Sequence, residues 1–518
     1  MSVTITPAGG DTGTHPGPPP HPGRRRAGAV LALARFETRE LFLQIPVLVF
    51  LTLYTAVVTV QLMHYDGMDD YPVLHTVDRD TQAAPLLLAL ALLVCTNAAA
   101  LRSRKHGTVQ QFDALAMEPW RRDLAHLLSV LPFAALTAVA VGGRFAREAL
   151  KPGAIGHGSL GELAVGPLTV LLAGVLGVML ARVVPTPFAP MLFVVATYLL
   201  VVIASAVAED DGGGLGWLSP VLVSGNAGGD PVPADLLGRP AGWHALYLTG
   251  LCVLLACAAL LRSGGRTGAL KAVTALAVTA TVAGGLGQTL RDPAALEAAR
   301  RTASTSPQKV QTCTTAGNST YCSFPEWENV RDDWAAVVDR VRSAGGAAVN
   351  TALTVRQRID ATGDIEADAA LTSSSTPGEV TVGTRWGGNR VPEFAVGVAS
   401  VLVAGTEESA ARGLCGARAV TVMWLALAAD PTPRAAFRNV RLDDSDSGPA
   451  RVLTPTDGLS LTAQQTTVVQ ELLARPRAEI SPRVQANWRQ LTSAQTTTAE
   501  AAELLGVAVP KGAEQCEE

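Results

Sequence analysis

The stretch LFLQIPVLVFLTLYTAVVTVQLM, residues 41–63, contains no Asp, Glu, Lys or Arg. About 20 apolar residues in a helix cross a hydrocarbon core of about 30 Å, so this run reads as a membrane span. Searching outward for runs of the same kind gives six more: about 84–101 (APLLLALALLVCTNAAAL), 124–143, 164–181, 186–208, 244–261 and 272–290. The whole-chain arithmetic agrees. The 518 residues are 48% hydrophobic and only 17% charged, against about 25% charged in soluble domains, and the mean hydropathy is +0.26. An ordinary soluble enzyme is excluded. The formal net charge of -4 provides no basic footprint for nucleic acid. The bias to Ala, Val, Leu, Arg and Thr, with 49 Gly and 32 Pro, is that of a GC-rich, actinobacterial-type genome.

Lys and Arg in the short flanks set the orientation. Arg24, Arg25, Arg26, Arg35 and Arg39 precede span 1. Arg102, Arg104, Lys105, Arg121 and Arg122 lie in the 2/3 loop, Arg182 in the 4/5 turn, and Arg262, Arg266 and Lys271 in the 6/7 turn. Alternate loops are acidic: 64–83 carries Asp66, Asp69, Asp70, Asp78 and Asp80, and 209–243 carries Glu209, Asp210, Asp211, Asp230 and Asp235. Loop 144–163, with Arg144, Arg147 and Lys151, is the exception. The expectation is a multi-pass protein of the cell membrane with a cytoplasmic N-terminus and everything after about 291 outside. Residues 1–27 read as a disordered cytoplasmic tail, because TPAGGDTGTHPGPPPHPG cannot bury a core. Residues 28–40 read as an amphipathic helix along the inner surface, with Val30, Leu31, Leu33, Ala34 and Phe36 as its apolar members.

Cysteine placement fits that orientation. Cys95, Cys252 and Cys257 fall in spans, whereas Cys313, Cys322, Cys415 and Cys516 all follow residue 291. Four is an even number in a compartment that permits disulfides. Cys313 and Cys322 are close in sequence within a Thr/Ser/Asn/Gly-rich loop and read as one pair, leaving Cys415 with Cys516. The other two connectivities stay open.

The 2/3 loop, RSRKHGTVQQFDALAMEPWRRDLAH (102–126), is the most informative segment. Val109, Phe112, Leu115 and Ala116 recur at helical spacing, Pro119 closes the pattern, and Arg121 and Arg122 open the next span. A short helix with one apolar face suits docking into a groove on a cytoplasmic partner; floating on the headgroups is the competing use.

Here the chain resembles the permease subunits of type-2 ABC exporters, in the actinobacterial form with a large C-terminal extracytoplasmic domain. GAVLALARFETRELF (28–42) is similar to their interface helix. Arg102, Gly107, Thr108, Asp113, Leu115, Pro119 and Arg122 match the pattern of their 2/3 loop. The resemblance covers about 28–290, and a weaker one covers TYCSFPEWENV (320–330). It departs from the usual six spans by a seventh. What it implies is a coupling helix within 102–123, with Gly107, Phe112, Asp113, Leu115, Pro119 and Arg122 as coupling residues, a separate ABC ATPase subunit as partner, and a homodimer or paired permease in the bilayer.

Absences narrow the chemistry. No GxxxxGK[ST] occurs; GGRTGALK (264–271) places Ala269 and Leu270 between Gly268 and Lys271, so ATP hydrolysis belongs to another chain. The spans hold almost no ionisable groups, unlike ion-coupled carriers. Gln44, Gln61, Thr96 and Asn97 are their main polar groups at depth, for a pathway or for helix–helix bonds.

The tail, 291–518, is long enough to fold by itself. A helix is expected around 325–345, with Trp327, Trp334, Val337, Val338 and Val341 as its apolar face. Strand-like pieces follow at NTALTVRQRI and GEVTVGTRW, then helices after 390; the apolar run 419–429 is too short to span and reads as a core helix. Every His lies at or before His244, which removes HExxH sites, Ser-His-Asp triads and Cys-His pairs from the tail. Glu326, Glu328, Asp332 and Asp333 read as a solvated charged face beside Arg331. Asn318-Ser319-Thr320 fits a glycosylation sequon.

The expected architecture is an all-α transmembrane bundle of about seven helices (permease domain, 28–290) followed by an α+β or mostly helical extracytoplasmic domain (291–518). The expected function is a non-enzymatic permease with no catalytic, cofactor or metal residues of its own. The alternative is a membrane-anchored extracytoplasmic binding or sensor protein whose membrane domain is scaffold only.

Overall fold

The computed structural model describes residues 22–63, 67–107, 117–208, 230–238, 240–289, 293–361, 371–443 and 445–510. Helix α1 (Pro22–Phe42) is followed by α2 (Ile45–Met63). The break has a local cause: Pro46 has no N–H to donate to the previous turn and its ring crowds that turn's carbonyl. The two helices meet at 69°. Val30, Ala34, Glu37 and Leu41 are buried along one stripe of α1, at the spacing that keeps side chains on one face. Leu31 and Phe36, expected on the same apolar side, point outward beside Arg35 and Arg39.

The bundle continues with α3 (Leu74–Asp80), α4 (Pro85–Lys105), α5 (Pro119–Leu128), α6 (Leu131–Ala149), α7 (Leu160–Val183), α8 (Ala189–Ala208), α9 (Ala241–Arg262) and α10 (Gly268–Thr289). Among the described residues, five helical segments are long and apolar enough to cross a membrane, or six if the bent α1–α2 pair is one span. They are Leu74–Lys105, Pro119–Ala149, Leu160–Val183, Ala241–Arg262 and Gly268–Thr289. The expected stretch 186–208 is a helix of 20 residues, α8. Leu48, Val49, Leu53, Val139, Met191, Leu192, Leu276 and Val282 remain exposed; so much uncovered apolar surface suits a lipid surround.

Small residues bring the helices together. A Cβ on Gly177 of α7 would collide with Thr96 Oγ1 and stand 2.5 Å from the Leu93 carbonyl of α4. Thr96 Oγ1 donates to Gly174 O (3.0 Å) and Asn97 Nδ2 to Gly177 O (3.1 Å). Thr96 and Asn97 thus serve helix–helix bonding. Gly284 and Gly287 of α10 do the same against Tyr247 and Trp243 of α9.

After α11 (Pro293–Thr305) the chain forms a four-stranded sheet in the order β1 (Thr312–Ala316), β2 (Ser319–Ser323), β3 (Thr354–Gln357), β4 (Glu379–Val382). The segment 312–323, expected as a loop, is a hairpin: the pair β1/β2 is antiparallel, with Cys313 opposite Cys322. Gly317, at φ +60°, supplies the left-handed backbone its two-residue turn requires. The later pairs are parallel. After a 3-10 turn at Pro325–Val330, α12 (Arg331–Gly345) covers the sheet. Helices α13 (Arg390–Ala404), α14 (Glu407–Ala411), α15 (Ala417–Leu427), α16 (Pro433–Asn439), α17 (Ala463–Leu473), α18 (Arg477–Ala486), α19 (Trp488–Leu491) and α20 (Thr498–Leu505) follow, with a small hairpin β5 (Ala450–Val452)/β6 (Leu459–Leu461). Nearly every residue of α15 is buried, as its apolar run requires. Trp327 and Trp334 are wholly buried.

Val73, Ile155, Val232 and Leu236, from three connections between membrane helices, belong to the same hydrophobic cluster as Trp327, Trp334 and Val355. The core of the C-terminal domain therefore includes side chains that precede residue 291.

Candidate functional site: the two ends of the bundle

At one end of the bundle the predicted basic flanks converge. Val30 and Ala34 of α1 pack on Ala125 of α5, Thr38 Oγ1 donates to Ser129 O at 3.2 Å, and Phe42 stacks on Phe133 with centroids 4.1 Å apart. Glu37, buried beneath α1, lies 3.4 Å from Arg102 Nη2 at the end of α4 and 3.7 Å from His126 Nδ1 on α5. The wholly buried Asp123 pairs with Arg182, which closes α7. A cavity of about 580 Å3 opens here, with Leu33, Phe36, Arg102, Arg104, Arg122 and Arg182 among its walls. Trp120 stands beside the α9–α10 turn at Gly265, so that turn belongs to the same end.

Of the six expected coupling residues, three are described. Gly107 follows α4 at φ +66°, a backbone angle that suits glycine. Pro119 sits in the first turn of α5, where its missing N–H has no helical partner to lose, so it opens the next helix. Arg122, one turn on, lines the cavity. Phe112, Asp113 and Leu115 lie outside the described residues, as does the tail segment 1–21.

At the opposite end the C-terminal domain is seated. Gly67, after α2, touches the backbone of Gly387 and Gly388, and a side chain at either contact would collide. Tyr71 meets Trp386 edge-on with centroids 6.5 Å apart. Asn329 Nδ2 donates to Ala154 O at 2.8 Å, and Gly156 N–H donates to Glu326 O at 3.2 Å. Glu326 Oε1 accepts from Ala234 N–H at 2.9 Å, and its Oε2 lies 3.2 Å from Nδ1 of buried His75. Arg385 pairs with Asp230 at 2.8 Å.

Two parts of the expected charged face are therefore corrected. Glu326 is mostly buried, 14% exposed, and serves as an anchor. Burial pushes its carboxyl up, but the hydrogen bond and charge of His75 and the Ala234 N–H outweigh that and hold it below its ordinary value. Asp333 hydrogen-bonds Tyr71, and burial raises its carboxyl. Glu328 and Asp332 are exposed as expected. A helix beside an arginine carries no signal of such long-range partners, so sequence reasoning had no means of finding them.

The exceptional basic loop is also explained. Lys151 pairs with Glu148 and donates to Asp69 O at 2.5 Å; Arg147 pairs with Glu148 at 3.2 Å; Arg144 reaches Asp80 O at 3.4 Å. These cations are answered within the bundle, Lys151 and Arg144 by carbonyls at Asp69 and Asp80 and Arg147 by Glu148, a use that a count of loop charges ignores.

Cys313 and Cys322 form a disulfide. Cys415 is also disulfide-bonded, and Cys516 lies outside the described residues. Cys95, Cys252 and Cys257 are free and buried. No group of three or more His, Cys, Asp or Glu suited to a metal ion occurs among the described residues. A second cavity, of about 570 Å3, lies between the C-terminal domain and the connections of the bundle; Trp386, Arg385, Arg390 and Arg451 line it beside Met68 and Asp230. Comparison with family models, with curated proteins and with solved structures finds no match for this chain.

Proposed function

We propose that this chain is the permease subunit of an ATP-driven exporter of the cell membrane. Its N-terminus is cytoplasmic, its C-terminal domain lies outside, and a separate ABC ATPase supplies the energy through loop 102–123. The observation that carries this reading is the joint at the basic end. An amphipathic helix, bent 69° from the next helix, packs on α5 and shares the buried Glu37 with the end of α4. A push on loop 102–123 would reach α1, α4, α5 and, through Asp123–Arg182, α7. The sequence has no phosphate loop, and the outer end is built for holding a domain in place. Two copies, or a pair of related permeases, would form the pathway.

The test is co-expression with the ATPase of an adjacent reading frame bearing GxxxxGK[ST]. Phe112→Asp with Leu115→Asp is expected to abolish co-purification while membrane insertion persists. Unchanged co-purification overturns the coupling role.

One observation favours a second reading, a membrane-anchored binding or sensor protein: the cavity beside Trp386 has the size and mixed lining of a ligand site. That reading requires no ATPase partner and ligand binding by the purified chain alone.

A further inference from the structure

The cavity of about 570 Å3 beside Trp386 is lined by three arginines, Arg385, Arg390 and Arg451, and by three carboxylates, Asp230, Glu393 and Asp457. Three against three gives a formal charge of zero, so neither a simple anion nor a simple cation is favoured. Two of each are paired with one another: Arg385 with Asp230 at 2.8 Å and Arg390 with Glu393 at 2.9 Å. The last two are not. Among the described residues, the exposed Arg451 side chain enters no hydrogen bond or ion pair. Asp457 Oδ2 accepts only from the neutral Ser373, from its N–H at 3.4 Å and its Oγ at 3.2 Å.

Between these charges the lining is apolar, with Trp386 and Phe394 as its large buried members. Leu442 stands 65% exposed at the same cavity. The cause is local: Arg441 bridges to Val452 and turns its side chain inward, wholly buried, so the next side chain faces the other way. Leu442 N–H donates to Arg451 O at 2.9 Å, which holds the apolar rim and the unpaired guanidinium together. Thr454 Oγ1 donates to the carbonyls of Thr456 and Asp457, both at 3.1 Å, and so fixes the turn that carries the Asp457 carboxylate. Asn389 also lines the cavity, and its side chain makes no capping bond to α13, which leaves an amide donor and acceptor for a ligand.

We propose that this cavity binds a short apolar peptide by its two free ends. The terminal carboxylate meets Arg451, the terminal ammonium meets Asp457, the peptide bond meets Asn389, and apolar side chains lie against Trp386, Phe394 and Leu442. A neutral lining with one unpaired group of each sign complements a zwitterion, and the aromatic surface between them complements its apolar body. Such binding deepens the second reading of the function yet depends on neither account of the membrane domain, and its failure would leave the co-purification test of Phe112 and Leu115 untouched.

The experiment uses the full chain purified in mild detergent, with isothermal titration calorimetry and tryptophan fluorescence. The dipeptide Phe-Leu is expected to bind. Its N-acetyl form, which lacks the ammonium, and its C-terminal amide, which lacks the carboxylate, should each bind about tenfold more weakly, the loss of one charge-assisted hydrogen bond. Gly-Gly, with no apolar body, should not bind. R451Q should weaken Phe-Leu by about the same factor and leave the amide form nearly unchanged; D457N should weaken Phe-Leu and leave the N-acetyl form nearly unchanged, because each pair of changes removes the same contact. R489Q, which removes an exposed arginine of α19 outside the cavity lining, should bind as wild type. If a variant fails to fold, the two blocked dipeptides on the wild-type chain carry the same test. Blocked forms that bind as tightly as Phe-Leu would leave only an apolar cavity and overturn the site. So would equal affinities in R451Q and R489Q, or no binding of Phe-Leu at all. Free phenylalanine that binds as tightly as Phe-Leu would overturn the peptide assignment.

Discussion

Nδ1 of His75, just after the connection from α2, lies 3.2 Å from Oε2 of Glu326 in the C-terminal domain, with the two side chains 6% and 14% exposed. The same carboxylate accepts the Ala234 N–H, so one side chain ties two stretches of the bundle to the C-terminal domain. Removing one member of a buried pair strands the other, at a cost of about 3 kcal/mol. Glu326→Gln is expected to lower the unfolding temperature and to open residues 293–330 to protease. His75→Gln should do the same, and the double variant should cost little more than either. Additive losses would show that the two residues act separately.

The pH dependence has a definite sign. Glu326 is held below its ordinary value, so its contribution is complete above the unfolded carboxylate value, about 4.3, and is lost as pH falls through the lower folded value. The difference in melting temperature between wild type and Glu326→Gln should be constant near neutrality and shrink in the acid limb. Glu407 is the opposite case. Burial raises it despite hydrogen bonds from Ser374 and Thr381, so its favourable contribution belongs to low pH and declines as pH rises through the raised value. A gap for Glu326→Gln that widens on acidification would contradict the assignment.

Gly177→Ala places a methyl group against Thr96 Oγ1 and the Leu93 carbonyl. Overpacking of this kind costs about 1–3 kcal/mol. The variant should insert normally but lose several degrees of thermal stability in detergent. Gly142→Ala, where nothing lies within 4 Å of the added carbon, is the control expected to be neutral.

Asp123 is wholly buried and its partner Arg182 is one-quarter exposed. Asp123→Ala should be destabilising by about 3–5 kcal/mol, because it leaves a guanidinium without its counter-charge. Asp123→Ala combined with Arg182→Met should recover part of that loss, as read by fluorescence-detected size exclusion after heating. No recovery would mean that Asp123 matters through other contacts.

Breaking the Cys313–Cys322 disulfide with a double serine substitution should cost about 2–3 kcal/mol, since the closed loop is short. The same cysteines give a topology test. In intact cells an impermeant thiol reagent is expected to label the wild-type tail after reduction. Labelling that appears only after lysis would place the C-terminal domain inside and overturn the proposed topology.

The sequence by itself determined where the apolar helices lie, because the width of a bilayer imposes a length that is visible as an uncharged run. It also marked the amphipathic stretch at 28–40, although the run 41–63 read as one span and only the structure showed the helix to break ahead of Pro46. β3 and β4 were legible from Thr/Val-rich runs, whereas the hairpin at 312–323 was hidden because its polar Thr and Ser residues look like a loop. Only the tertiary structure decided that Glu326 is an anchor, that Arg144 and Lys151 reach the carbonyls of Asp80 and Asp69, and that Val73, Ile155, Val232 and Leu236 complete a core formed mainly after residue 291. The reason is physical: a side chain's charge and apolarity are written in the chain, but the group that satisfies them sits across the fold, at a distance no local pattern records.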